Sequence, residues 1–193
     1  MNPREMVNGD EKRCLLRMAR EAILSAVEGA PKPSGPDIVP KRLKEERGVF
    51  VTLWQEGLLR GCIGFPLPSR PLIQAVTEAA VSAALGDPRF PDVVPGETAG
   101  LVIEISVLTV PRRIAPADVR IGVHGLIVSK DGRSGLLLPQ VAVEQRWDVP
   151  AFLEQTCAKA GLPPGAWREE AELSGFEAQV FSELDETEKR TRR

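Results

Sequence analysis

Five residues in a row, Arg60-Gly61-Cys62-Ile63-Gly64, hold the densest chemistry in the chain. On a strand, Arg60 and Cys62 point to the same face with Cα atoms about 6–7 Å apart. A guanidinium at that distance would stabilise a thiolate and make a nucleophile or a substrate anchor of it. Gly61 and Gly64 weaken a strand, so they mark a bulge or a close backbone approach such as one to a ligand. The competing reading makes Cys62 a small core residue and Arg60 half of a structural ion pair. Glu104 and Ser106 share one face of an otherwise apolar stretch. A carboxylate there needs a partner or a shifted pKa, so Glu104 is either a cleft-lining acid or base, or a satisfied cross-strand partner of Arg60. His124 is the single histidine, set between Gly122-Val123 and Gly125. It is a candidate general base, and with Cys62 would form a Cys-His nucleophile if the two met; otherwise it bonds to backbone at a strand start. Gln140 could offer its amide to a ligand or cap a strand edge.

Other chemistries are excluded by inventory. The chain contains no Tyr, so no tyrosine acts as general acid, and a Ser-His-Asp triad would have to use His124. Cys14 and Cys157 fall on apolar helix faces and read as core. Three cysteines without C-x-x-C spacing give neither a disulfide framework nor the close ligand pairs of a zinc site, and point to a reducing, cytoplasmic setting. No phosphate-binding glycine loop occurs. Lys and Arg total 25 against 27 Asp and Glu, a net charge of −2, which excludes nucleic-acid binding by bulk charge. Lys41-Arg42-Leu43-Lys44 and Lys189–Arg193 are the basic clusters, so nucleic acid is the weakest partner class. The residues from Met1 to Lys12 are polar rather than a signal peptide, and no apolar run approaches the roughly 20 residues of a membrane helix.

These groups need elements to hold them. Apolar residues from Cys14 to Val27 at helical spacing predict a helix opened by Asp10 and stopped by Gly29. A Gly/Pro-rich loop follows to Pro36, and Lys41–Glu46 is a turn or short helix. Val49–Trp54 and Leu58–Ile63 predict a hairpin around Glu56-Gly57. Ser69 is expected to cap a second helix, with Pro71 in its first turn and Gly86 at its end. Asp87–Pro91 is a constrained loop. Leu101–Val110 is a strand of alternating faces. Val123–Ser129 and Ser134–Val141 predict a second hairpin. Asp148 caps a third helix stopped by Gly161, and Phe176–Phe181 is a last strand. Hairpins with interspersed helices predict α+β with a mostly antiparallel sheet. The 193 residues suit one domain over residues 1–184, with room for a small subdomain, and a charged, disordered tail over 185–193.

The ordered blocks Leu59-Arg60-Gly61-Cys62-Ile63-Gly64, Asp87-Pro88-Arg89-Phe90, Glu104–Leu108, Gly122–Leu126, Leu136–Val141, Trp147 and Cys157–Leu162 together resemble the AMMECR family, from about Cys14 to Phe181. The likeness is to its stand-alone archaeal or bacterial form. It implies a larger and a smaller lobe with a cleft between them, and a functional region lined by the Arg-Gly-Cys-Ile-Gly segment. Arg89, in the second block, joins Arg60, Gly61, Gly64, Ser106 and Gln140 as a candidate ligand-binding residue. The resemblance implies no particular reaction and no cofactor. It does imply radical-SAM-like and Memo-like partners, and hence a pathway that makes or modifies a small molecule. Two classes follow: an enzyme component built around Cys62, Glu104 and His124, or a non-catalytic adaptor whose signature residues form a recognition surface.

Overall fold

A computed structural model describes residues 6–29, 31, 35, 38–169 and 171–185. The expected loop to Pro36 lies largely outside the described residues, as does the charged tail beyond Asp185. The chain divides into two compact units, one of residues 1–107 with 179–193 and one of Leu108–Ala178.

The first unit begins with helix α1, Gly9–Glu28. The helix opens one residue before the expected Asp10 because Asn8 and Glu11 form a reciprocal cap. The Asn8 side chain accepts from the Glu11 amide at 3.0 Å, and the Glu11 carboxylate accepts from the Asn8 amide at 2.8 Å. Gly29 ends it at φ 69°, a left-handed conformation suited to glycine. Strands β1 (Val49–Gln55) and β2 (Leu58–Phe65) form the predicted hairpin. Glu56 and Gly57 both take positive φ, as a two-residue turn between twisted strands requires. Helix α2, Leu72–Leu85, starts later than expected. Ser69 does not cap it; Pro71 precedes its first turn, and the Leu72 amide donates to the Glu45 carbonyl at 2.9 Å. Strand β3 is Leu101–Leu108, and β8 (Ala178–Ser182) returns from the far end of the chain to complete the sheet order β2-β1-β3-β8.

Strand alternation divides this sheet. Val49, Val51, Leu53, Ile103, Ile105 and Val107 are fully buried and form one core with Leu15, Ala19 and Ile23 of α1 and Val76, Ala79 and Ala80 of α2. The opposite face carries Phe50, Thr52, Trp54, Cys62, Gly64, Val102, Glu104 and Ser106.

The second unit holds β4 (Arg112–Arg113), β5 (Gly125–Lys130), β6 (Arg133–Leu137) and β7 (Glu172–Phe176), in the order β4-β7-β5-β6. The expected strand to Val141 stops at Leu137. Pro139 then fits the first position of a short helix, α3 (Pro139–Glu144), where its fixed φ and missing N–H cost nothing. Helix α4, Val149–Lys159, is capped as expected by Asp148, whose carboxylate accepts from the Ala151 amide at 2.9 Å. Phe152, Leu153 and Cys157 pack with Leu126 and Val128 in a core of this unit's own. The expected single strand Phe176–Phe181 is two strands in two sheets, broken at Glu177. There the Glu177 carbonyl accepts from the Thr109 amide, and the Glu177 amide donates to the Thr109 hydroxyl, both at 2.9 Å. Both sheets are antiparallel, and the class is α+β. No helix among the described residues is long and apolar enough to cross a membrane.

Candidate functional site

The register places Cys62 opposite Thr52 and Thr52 opposite Glu104, one row across β2, β1 and β3. Strand spacing of about 4.8 Å makes the row about 10 Å long. The next row is Gly64, Phe50 and Ser106. Both rows lie on the face away from α1 and α2.

Cys62 occupies the free edge of the sheet, and its backbone points outward rather than to β1. Its amide donates to the Asp87 carboxylate at 2.8 Å, and its carbonyl accepts from the Arg89 guanidinium at 3.2 Å. Residues facing one another without exchanging backbone bonds approach more closely, with side chains near contact. Accordingly, the Thr52 hydroxyl donates to Cys62 Sγ at 3.3 Å. The half-buried thiol therefore has a hydroxyl against it, while a guanidinium binds the backbone of the same residue.

That guanidinium belongs to Arg89, not Arg60. The Asp87 side chain is 2% exposed and accepts from Arg89 Nε at 2.9 Å, Nη2 at 2.6 Å and the Arg89 amide at 3.1 Å. These bonds, chiefly the guanidinium's, hold the Asp87 carboxyl well below the usual carboxylate range against the opposing effect of burial; the Cys62 amide adds to them. Arg89 in turn is held above the ordinary guanidinium value, first by Asp87 and to a smaller degree by the charge and hydrogen bonding of the Cys62 side chain.

Arg60 departs from strand parity because β2 carries a bulge. Leu53 pairs with Gly61 and Trp54 with Leu59, so Arg60 is the extra residue. Its guanidinium meets both oxygens of Glu97 at 2.9 Å and reaches the carbonyls of Pro91 at 2.8 Å and Asp92 at 3.2 Å. The Arg60 hydrogen bonds lower the Glu97 carboxyl below its ordinary value. Glu97, not Glu104, is thus the ion-pair partner of Arg60. Arg60 and Arg89 together strap the 87–92 loop along the edge of β2.

The two glycines of the segment serve close approaches within the chain. A Cβ on Gly61 would lie 2.1 Å from the Ala83 carbonyl oxygen of α2. On Gly64 it would lie 2.2 Å from the Val49 carbonyl oxygen and 2.5 Å from the Phe50 ring. Ser106 is 2% exposed and makes no hydrogen bond with the described residues, yet among those residues no fully enclosed polar side-chain atom lacks a partner. Its hydroxyl therefore keeps contact with water.

The remaining candidates lie in the second unit. His124 Nδ1 accepts from the Arg120 amide at 3.2 Å, the backbone-bonded alternative foreseen for it. Gln140 stands in the first turn of α3, not at a strand edge. Cys157 is fully buried, which pushes its thiol pKa up, and Cys14 packs half-buried against the first core. Two open surface depressions flank the β5–β6 hairpin. The cations there are engaged, Lys130 with Glu169 at 3.3 Å and Arg133 with the Gly161 carbonyl at 2.9 Å, so this region lacks the convergent groups found at Cys62. Among the described residues no group of three or more His, Cys, Asp or Glu could hold a metal ion. Asp87 and Glu97 escaped the sequence reading. The one available signal for Asp87 was a helix stop, Gly86, followed by an acid and a proline, and it does not reveal a partner 25 residues away.

Residues 16–181 match the AMMECR1 family model. A protein of Methanothermobacter thermautotrophicus is 50% identical over 182 residues, covering 90% of this chain and 95% of that one. Protein MK0488 of Methanopyrus kandleri is 48% identical over 194 residues, covering 93% and 91%. The crystal structure of the uncharacterised protein PH0010 from Pyrococcus horikoshii is similar at a TM-score of 0.85 and 43% identity, covering 92% of this chain and 94% of that one. A match over most of the chain and a shared fold agree with the signature around Cys62: the chain belongs to the AMMECR1 family.

Proposed function

We propose that the protein is a component of a pathway that makes or modifies a small molecule, with the sheet face around Cys62 as its working surface. The observation that carries the reading is the convergence of two polar groups on one half-buried residue, Thr52 Oγ1 on the Cys62 thiol and the Arg89 guanidinium on the Cys62 carbonyl. Cys62 is the nucleophile or the substrate anchor. Glu104, about 10 Å along the same row, serves as acid or base toward the far end of a bound molecule. His124 remains a second acid/base candidate. Radical-SAM-like and Memo-like proteins are the proposed partners, and a reducing, cytoplasmic compartment suits three free thiols. The test is alkylation of the native protein by iodoacetamide at pH 8, read peptide by peptide. Cys62 is expected to react at least tenfold faster than Cys157, which is enclosed. Equal inertness of the two would remove the nucleophile.

One observation favours a second reading, an adaptor. The charged signature groups are bound within the chain, Arg60 to Glu97 and Asp87 to Arg89, as in a rigid recognition surface. An adaptor retains a radical-SAM-like or Memo-like partner in a pull-down when Cys62 is replaced by Ala; an enzyme component loses turnover with Cys62→Ser.

A further inference from the structure

We infer that the Cys62 face takes a small anionic molecule whose carboxylate or phosphate binds the outer edge of the Arg89 guanidinium, with the rest of the molecule lying over the thiol. The inference deepens the reading just given and rests on it.

Three observations point to such a ligand. The first is how Arg89 spends its donors. Nε and Nη2 are bound to Asp87 and to the Cys62 carbonyl, while Nη1 makes no hydrogen bond with the described residues. The side chains differ sharply in exposure, 55% for Arg89 and 2% for Asp87, so the pair turns its cationic end to solvent and keeps its anionic end inside. A guanidinium fixed in this way has already lost the freedom that anion binding would otherwise cost, and its Nη1 offers charge-assisted N–H donors to a carboxylate or phosphate oxygen. The second is Ser106, 2% exposed, on the same face, with a hydroxyl that no described residue uses. A nearly enclosed hydroxyl left open on that side is a donor and acceptor for a bound molecule. The third is polarity. Arg89 stands at the Cys62 end of the row and the Glu104 carboxyl at the other, which orients an anion toward the thiol and away from β3. Phe50, in the row beside Cys62, lies over Gly64 and gives the ligand an apolar wall.

The test compares two thiol reagents of equal size and different charge, iodoacetate and iodoacetamide. Each reacts with the same Cys62, so their rate ratio cancels the thiol's own reactivity. Relative to the ratio for 2-mercaptoethanol, iodoacetate is expected to be favoured about fivefold or more at Cys62, the upper size of one solvent-exposed charge pair. The preference should vanish in Arg89→Gln, persist in part in Arg89→Lys and shrink in 1 M salt. A Cys62 ratio equal to that of 2-mercaptoethanol, or one that Arg89→Gln leaves unchanged, overturns the inference. If Arg89→Gln does not fold, the wild-type ratio and its salt dependence decide. If Cys62 reacts with neither reagent, the thiol reading of the proposed function falls. The anion site is then judged by 15N NMR with inorganic phosphate and with acetate. Shifts at the Cys62 amide and Arg89 Nε keep it, the stronger ion separates phosphate from carboxylate, and no shift with either ion overturns it.

Discussion

Replacing Asp87 by Ala removes the carboxylate that ties the 87–92 loop to the edge of β2. Four hydrogen bonds go with it, one from the Cys62 amide and three from Arg89. The Arg89 side chain is more than half exposed and regains water, so its share is that of a surface pair, about 0.2–1 kcal/mol. The Cys62 amide faces the space the carboxylate filled, and leaving it unpaired costs about 1–3 kcal/mol. The sum is about 1–4 kcal/mol, or about 2–16 °C in Tm for a chain of this size. Asp87→Asn keeps an acceptor for the Cys62 amide and should lose about half as much. The same pair of proteins gives a pH test. The folded-state pKa of Asp87 lies below its ordinary 3.8, so its contribution is complete above about pH 4 to 5 and is lost as pH falls further. Wild type should therefore lose stability in acid faster than Asp87→Asn, and the difference between the two curves isolates this residue from Glu97 and Glu154, which are lowered as well. Denaturant melts from pH 7 to pH 3 provide the measurement. An Asp87→Ala loss under about 0.5 kcal/mol at pH 7, or parallel acid slopes for wild type and Asp87→Asn, would refute the clamp.

Gly61→Ala sets a methyl 2.1 Å from a backbone oxygen of α2, which cannot rotate away, so the variant should lose about 1–3 kcal/mol or more in a denaturant melt, whereas Gly57→Ala, with no atom within 4 Å, should lose only the turn's positive-φ preference. A double-mutant cycle on Arg60→Ala and Glu97→Ala should give a coupling near 1 kcal/mol, the upper range for a partly exposed bidentate pair, and zero coupling would make the Arg60 strap ornamental. In the second unit, Glu154 accepts from the Gly165 amide and Trp167 Nε1, both at 2.8 Å, so Glu154→Ala should lower the melting temperature and shift the tryptophan emission; Glu154→Gln, which retains an acceptor, should do less.

Much of the fold was legible because its signals are local. The stops at Gly29 and Gly161 and the Asp148 cap act within a few residues of themselves, and the Glu56-Gly57 turn fixes its own hairpin. The misread parts have either an ambiguous local signal or a non-local cause. Leu136-Leu137-Leu138 is apolar enough for strand or helix, and only Pro139 at a first helical position separates β6 from α3. Both halves of the stretch Glu172–Ser182 are strand, and what divides it is pairing with two different sheets. At the site, strand parity correctly puts Glu104 and Ser106 on one face, and register adds Cys62. Parity fails at Arg60 because a bulge in β2 depends on the partner strand. The Asp87–Arg89 clamp was hidden because its target lies 25 residues back along the chain.

The pairing of Thr109 with Glu177 bears on the order in which the chain can fold during synthesis. The second unit is a continuous stretch that enters at Leu108 and leaves at Ala178, and it has a core of its own. The first unit is discontinuous: β8 pairs with β3 across some 70 intervening residues and cannot form until the ribosome has passed Ser182. Glu183, next along the chain, locks the same sheet, accepting from the Ile103 amide at 2.9 Å and from Arg20. The inserted unit is thus free to fold first, from the middle of the chain, while the Cys62 sheet waits with β3 as an open edge. A nascent chain that ends at Ala178 and is tethered to the ribosome by a linker long enough to clear the exit tunnel should protect the second unit from protease before it protects β3.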